Sequence, residues 1–170
     1  EPMNGSVSEG VYTPSPDLSG VDSFTYRASD GTDYSEAATV TITVHSVNDA
    51  PTAANEYIVL NENDSAPVYY LTEDVDGDDL TIIIVSPPNY GTLVDSIYTP
   101  NPGFSGTDLL SYIAFDGELY SNLASVIFTI NNVNDPPVAF DQDQYLDEDN
   151  STTFALLGSD PDGDDITFSL

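Results

Sequence analysis

The feature that most limits what this chain can become is its self-similarity. Val47-Asn48-Asp49-Ala50-Pro51 returns as Val133-Asn134-Asp135-Pro136-Pro137, an offset of 86 residues. At the same offset Tyr12-Thr13-Pro14 returns as Tyr98-Thr99-Pro100, and Asp30-Gly31 as Asp116-Gly117. Asp74-Val75-Asp76-Gly77-Asp78-Asp79 likewise returns as Asp160-Pro161-Asp162-Gly163-Asp164-Asp165. Slid by 86 without a gap, the chain matches itself at about 33 of 84 positions. One supersecondary design is therefore used repeatedly. Proline ends a strand ladder and biases its predecessor to an extended form, so natural boundaries fall at the Val-Asn-Asp-x-Pro segments. Cut there, the chain holds the back part of one module (1–49), one whole module (50–135) and the front part of a third (136–170). A half-sandwich cannot bury its own face. The phase implies either an excerpt from a longer array or polymerisation by strand donation between chains.

The hydrophobic pattern has period two. Phe24, Tyr26 and Ala28 alternate with Thr25 and Arg27, and Val40, Ile42 and Val44 alternate with Thr41 and Thr43. In the whole module this predicts strands near 56–60, 66–71, 79–85, 92–98, 109–115 and 123–131, separated by Asp-Gly, Pro-Asn and Ser-Gly punctuation. Six or seven short strands in one period predict an all-β fold, tandem immunoglobulin-like Greek-key β-sandwiches. With no cysteine, no disulfide holds them.

The charge narrows the partners. Thirty residues are Asp or Glu and one is basic, for a formal net charge of −29. No basic patch exists to neutralise nucleic-acid phosphates or an anionic membrane surface, so neither is expected as a partner. Self-repulsion on this scale strains a compact fold unless cations or salt relieve it. Yet 39% of the residues are hydrophobic, too much for a solvated tail. Clusters of Asp next to Gly in a turn suit calcium, a hard cation that takes six to eight oxygens. Asp74, Asp76, Asp78 and Asp79 form one such cluster, and Asp160, Asp162, Asp164 and Asp165 repeat it. The spacing is not that of an EF-hand, since Gly77 stands fourth and no helices flank it.

Ala28-Ser29-Asp30-Gly31, Tyr34-Ser35, Ala38 to Val44 and Val47-Asn48-Asp49-Ala50-Pro51 resemble the last strands and linker of a cadherin repeat. Asp160 to Leu170 resembles the Asp-x-Asp strand that follows. The order Tyr-Thr-Pro, Gly-x-Asp-Ser-Phe-Thr-Tyr, Asp-Gly, Val-Asn-Asp-x-Pro is similar to bacterial cadherin-like tandem repeats of large secreted surface proteins and adhesins. The resemblance implies Ca2+ between modules. At the first junction it assigns Asp74, Asp76 and Asp116, the linker residues Asn48 and Asp49, and, as a loose match, Asp22 from the preceding module. At the second it assigns Glu62, Asp108, Asn134, Asp135, Asp160 and Asp162. Asp30 would face a junction before residue 1. Ser46 and Asn132 stand where the family's linker has Asp, and Phe24 and Leu110 where its acidic motif has Glu. One or two ions per junction are therefore expected rather than three. Asp78, Asp79, Asp164 and Asp165 are outer ligands or turn residues.

No Cys-His set can be built without cysteine, no motif sets the one histidine beside a nucleophile, and no enzyme activity is expected. His45 reads as a solvated strand end. Leu109, Ile113 and Phe115 replace Ser23, Arg27 and Ser29, and Ile127 replaces Thr41, at positions that alternation assigns to the outer face. That substitution suggests a lateral or inter-module contact made by the whole module alone, or a local shift of strand phase. The expected function is a calcium-stiffened spacer, shaft or filament segment of a long extracellular, cell-surface protein, with neighbouring modules as partners and lateral or head-to-tail self-association possible. The alternative is a carbohydrate- or protein-binding adhesin module using Tyr69, Tyr70 and Tyr90.

Overall fold

The computed structural model describes residues 2–170, and every regular element among them is a strand. The first copy of the repeat forms two antiparallel pairs. β1 (Gly5–Ser8) and β2 (Val11–Pro14) make a tight hairpin, and β3 (Gly20–Tyr26) pairs with β4 (Ala38–Val44) from Gly20↔Val44 to Tyr26↔Ala38. The whole copy follows with β5 (Thr52–Ala54), β6 (Glu56–Asn61), β7 (Ala66–Pro67), β8 (Leu71–Glu73), β9 (Thr81–Ser86), β10 (Gly91–Val94), β11 (Ile97–Pro100), β12 (Gly106–Phe115) and β13 (Ala124–Asn131). The third copy contributes β14 (Val138–Ala139) paired with β15 (Gly158–Ser159).

In the whole copy the strands form a four-stranded sheet in the order β6-β13-β12-β9, a three-stranded sheet β10-β11-β7 and a small pair β5-β8. β12 and β13 are antiparallel, whereas β6 runs parallel to β13 from Val126↔Glu56 to Asn131↔Asn61. The chain thus brings the beginning and end of one period side by side.

Alternation on these strands fills one core. Leu110, Tyr112 and Ala114 of β12 and Ala124, Val126, Phe128 and Ile130 of β13 are buried, with Leu60, Val68 and Tyr98 packed against them. Removing each large side chain from water stabilises by about 1.5–3 kcal/mol. The Tyr98 ring of β11 stacks on Phe128 of β13, with centroids 3.7 Å apart and planes at 13°, and so joins two sheets. A buried tyrosine also needs a partner for its hydroxyl. Tyr112 Oη donates to the Ala54 carbonyl (2.7 Å) and accepts the Leu71 N–H (3.0 Å), tying β12 to β5 and β8. Gly91 is required by the same packing, because a Cβ there would lie 2.4 Å from the Tyr98 ring and 2.7 Å from the Thr99 carbonyl.

The strands near 56–60, 79–85, 109–115 and 123–131 form with end shifts of one to three residues. The single strand expected at 92–98 is instead the hairpin β10–β11. Its turn residues Asp95 (φ 49°) and Ser96 (φ 59°) both adopt left-handed backbone, the geometry of a type I′ turn. The segment expected at 66–71 is broken into β7 and β8. Contacts group the described chain into two compact units. One joins residues up to Ala53 with Thr72–Ile83 and Ala114–Asn122; the other comprises Ala54–Leu71, Ile84–Ile113 and Leu123–Leu170. Each unit carries one Val-Asn-Asp-x-Pro linker.

Candidate metal centres

In the first unit, Asp74 organises a turn. Its Oδ1 accepts the N–H groups of Asp76 (2.9 Å), Gly77 (3.0 Å) and Asp78 (3.2 Å), and Gly77 at φ 80° lets the chain wrap around it. The other oxygen, Asp74 Oδ2, is buried without a hydrogen-bond partner. Carboxylate oxygens of Asp74, Asp76 and Asp78 lie within 4.8 Å of one another. Three anions gathered around a buried, unsatisfied carboxylate oxygen form an arrangement that repels itself and suits an oxygen-seeking cation. Desolvation first, and then the negative charges of Asp74, Asp76, Asp116 and Asp79, push the Asp78 carboxyl above its ordinary value.

The linker reaches this turn. Asp49 N–H donates to Asp76 Oδ2 (2.8 Å), and the Ser46 hydroxyl donates to Asp76 Oδ1 (3.3 Å). Asn48 Nδ2 donates to Asp116 Oδ2 (3.0 Å). Asp116 Oδ1 is held by the N–H groups of Leu119 and Glu118, both at 2.7 Å, which keep its carboxyl below the usual range. Five of the six residues assigned to the first junction (Asn48, Asp49, Asp74, Asp76 and Asp116) are therefore linked by contact.

The second unit repeats the scheme. Asp160 Oδ1 accepts the N–H of Asp162 (2.9 Å) and of Asp164 (3.3 Å), and Asp135 N–H donates to Asp162 Oδ2 (2.6 Å). Asn134 turns its amide onto the Asp135 carbonyl (3.3 Å). Glu62, only 3% exposed, accepts the Val133 N–H at 2.5 Å, which sets a buried carboxylate against the linker backbone.

Asp22 and Asp108 belong to a different feature. Asp108 accepts from the N–H groups of Asn89, Tyr90 and Leu109 and from the Tyr98 hydroxyl, all between 2.8 and 2.9 Å. Asp22 repeats this with Met3, Asn4, Ser23 and Tyr12. Both oxygens of each are occupied, and both residues are buried, at 4% and 2% exposure. Their hydrogen bonds lock the loop before a hairpin onto the next strand and reach neither linker. Desolvation raises the Asp22 carboxyl, but its donors, Asn4 and Ser23 foremost, outweigh that and hold it below the ordinary value. The same Asp22 raises the Tyr12 hydroxyl, after desolvation. A Tyr and an Asp ten residues apart in both copies was the available signal. Ser46 and Asp78 are the members that sequence reasoning left out or left open. A hydroxyl carries no signature, and Asp78 is separated from its neighbour Asp79 only by position in the folded turn.

The fold and these acid-gathering linkers define a class: tandem all-β sandwich repeats joined by carboxylate-rich linkers. Residues 2–43 and 48–129 match the bacterial Ig domain family, and the chain belongs to it. Both matches stop at the same phase of the repeat, at 43 and 129. Among solved structures, human CDH23 EC21–23 superposes with a TM-score of 0.56 at 21% identity, covering 88% of this chain and 58% of that one. The cadherin extracellular fold is thereby shared. An endo-fucoidan hydrolase of glycoside hydrolase family 107 aligns at a TM-score of 0.41 and 21% identity, over 78% of this chain and 23% of that one. The integrin beta-like protein E of Dictyostelium discoideum is 33% identical over 110 residues, which are 54% of this chain and 6% of that protein's length.

Proposed function

We propose that this chain is a calcium-stiffened repeat of a long extracellular surface protein, with module boundaries at the two Val-Asn-Asp-x-Pro linkers. The carrying observation is the buried, unpartnered Asp74 Oδ2 beside the carboxylates of Asp76 and Asp78. At the first linker Asp74, Asp76, Asp78 and Asp116 would hold the ion, with Asn48 and Asp49 beside them. At the second, Glu62, Asp135, Asp160 and Asp162 would do so, with Asn134 beside them. Asp22 and Asp108 are left out because their oxygens are already filled. Calcium supplies positive charge and six to eight coordination places.

The chain's own residues set up the rest. Backbone N–H groups orient Asp74 and Asp116 before any ion arrives, so little ordering remains to be done on binding. Asp76 is held by the Asp49 N–H, which couples the linker to the Asp-x-Asp turn. Without a cation, Asp78 carries the repulsion of four neighbouring carboxylates. With one, repulsion becomes attraction and the linker angle is fixed. Extracellular modules bind at about 0.1–1 mM, so ambient calcium would control stiffness.

Tyr69, Tyr70 and Tyr90 support the adhesin reading less well. Tyr70 packs edge-on against Tyr112 (5.0 Å), Tyr90 stacks on Phe104 (4.4 Å), and only Tyr69 stands without a ring partner among described residues.

Calorimetric titration and thermal melting test the proposal. Calcium at about ten times its dissociation constant should add about 1.4 kcal/mol of stability, and Asp74→Asn should abolish the gain. Identical melting in calcium and in chelator would remove the mechanism.

A further inference from the structure

The four-stranded sheet has an inner face that is the core and an outer face that nothing in the described chain covers. On β6, β13 and β12 the outward residues are those between the buried ones. Tyr57 and Val59 are 73% and 68% exposed, Leu109 is 44% exposed, and Ile113 and Ile127 are half-buried. Strand register sets Tyr57 beside Ile127 and Ile127 beside Leu109, so three apolar side chains form a row straight across three strands. The remaining outward positions on these strands are Ser, Thr and Asn, apart from Phe115 at the end of β12, whose ring stacks on Tyr120 (4.5 Å), and Ser111 and Ser125 meet across the centre at 3.3 Å. None is charged, in a chain with a net charge of −29. The equivalent outer positions of β3 and β4 are Ser23, Arg27 and Thr41 where the whole copy has Leu109, Ile113 and Ile127.

We infer that this neutral face pairs with the same face of a second copy of the chain. Two chains of this charge repel wherever carboxylates oppose. A face that carries none is where they can approach, and its apolar row gains by being covered. The size fits a weak contact. Four strands about 4.8 Å apart and about six residues long at about 3.3 Å each give about 400 Å² per copy. About 800 Å² for the pair lies below ordinary stable complexes and among transient ones. Repetition along an array would multiply such a contact through effective concentration. The pairing uses neither linker and stands apart from the calcium proposal.

Sedimentation velocity over a concentration series, in chelator, tests it at ionic strengths of about 0.15 M and about 1 M. Dimerisation should strengthen with salt, because screening removes the repulsion while the contact itself holds no ion pair. The triple variant Leu109→Ser, Ile113→Arg, Ile127→Thr installs side chains that the repeat already carries elsewhere, and should weaken the dimer at least about tenfold. Val94→Thr, on the other sheet, should change nothing. Should the triple variant misfold, concentration-dependent amide shifts in the unaltered chain read the same face. Shifts centred on Tyr57, Leu109 and Ile127 support the pairing, and shifts centred elsewhere overturn it. A chain monomeric in high salt, or a dimer indifferent to the triple variant, also overturns it and leaves the face to a foreign partner.

Discussion

Two regions of this molecule are built on one template and differ in how deeply they are buried. Tyr112 is fully buried, and its equivalent Tyr26 is 53% exposed. Leu110, Val126 and Phe128 are inaccessible, whereas Phe24, Val40 and Ile42 at the same phase are half-buried. The strands pair in the same register, Asp108↔Phe128 in one copy and Asp22↔Ile42 in the other. What differs is the company: β12 and β13 sit between β9 and β6, while among the described residues β3 and β4 pair only with each other. Alternation decides which face is apolar, but only other strands can cover it. The third copy shows the converse. Residues 142–147, aligned with β6, form no strand, and among the described residues no strand pairs with them as β13 pairs with β6. A parallel edge strand is thus a relationship with a partner, not a property of six residues.

The largest test of that contrast is a cavity. Phe128→Ala should cost about 3–5 kcal/mol in denaturant unfolding, while Ile42→Ala, at the same place in the half-covered copy, should cost clearly less. Equal losses would show that β3 and β4 acquire a cover in solution. Next in size is the buried carboxylate. Asp108→Asn replaces one acceptor oxygen with a donor facing N–H groups, and should cost about 2–4 kcal/mol. Asp22→Asn should be milder, read by hydrogen exchange at Met3 and Asn4. The Asp22 carboxyl is held below its ordinary value, so its contribution is complete above that value and disappears as pH falls through the depressed one. Exchange at Met3 and Asn4 should therefore quicken only in strong acid. The smallest effect is in the hairpin turns. Ser96 is left-handed at φ 59°, where the first copy has Gly10 at φ 82°. Ser96→Gly should stabilise by about 0.5–1 kcal/mol; destabilisation would mean that the serine side chain contributes something the turn geometry does not show.

Much of this was legible in the residues. The all-β architecture followed from period-two patterning, and the acids that recur in register lie together at the linker turns, Asp49 with Asp74 and Asp76 and Asp135 with Asp160 and Asp162. The turn at Asp95 and Ser96 was not, because neither residue is the Asn-Gly or Asp-Gly pair that announces a type I′ hairpin. β5 was missed because Thr52-Ala53-Ala54 offers too little contrast to alternate. Asp22 and Asp108 are assigned to the junctions by the family resemblance, which carries no record of what their oxygens accept. Only the fold reveals that four donors already converge on each, and that Tyr12 and Tyr98 stand above them.

The parallel pairing of β6 with β13 has a mechanical meaning. β6 begins just after the first linker, and β13 ends just before the second. Tension applied through the two linkers therefore drags the strands lengthwise past each other, in shear. All six registered pairs from Glu56↔Val126 to Asn61↔Asn131 resist together. A hairpin such as β10–β11, pulled from its open end, would instead peel one pair at a time. The strand at the sheet's edge is thus placed to act as a latch against any pull applied through the two linkers.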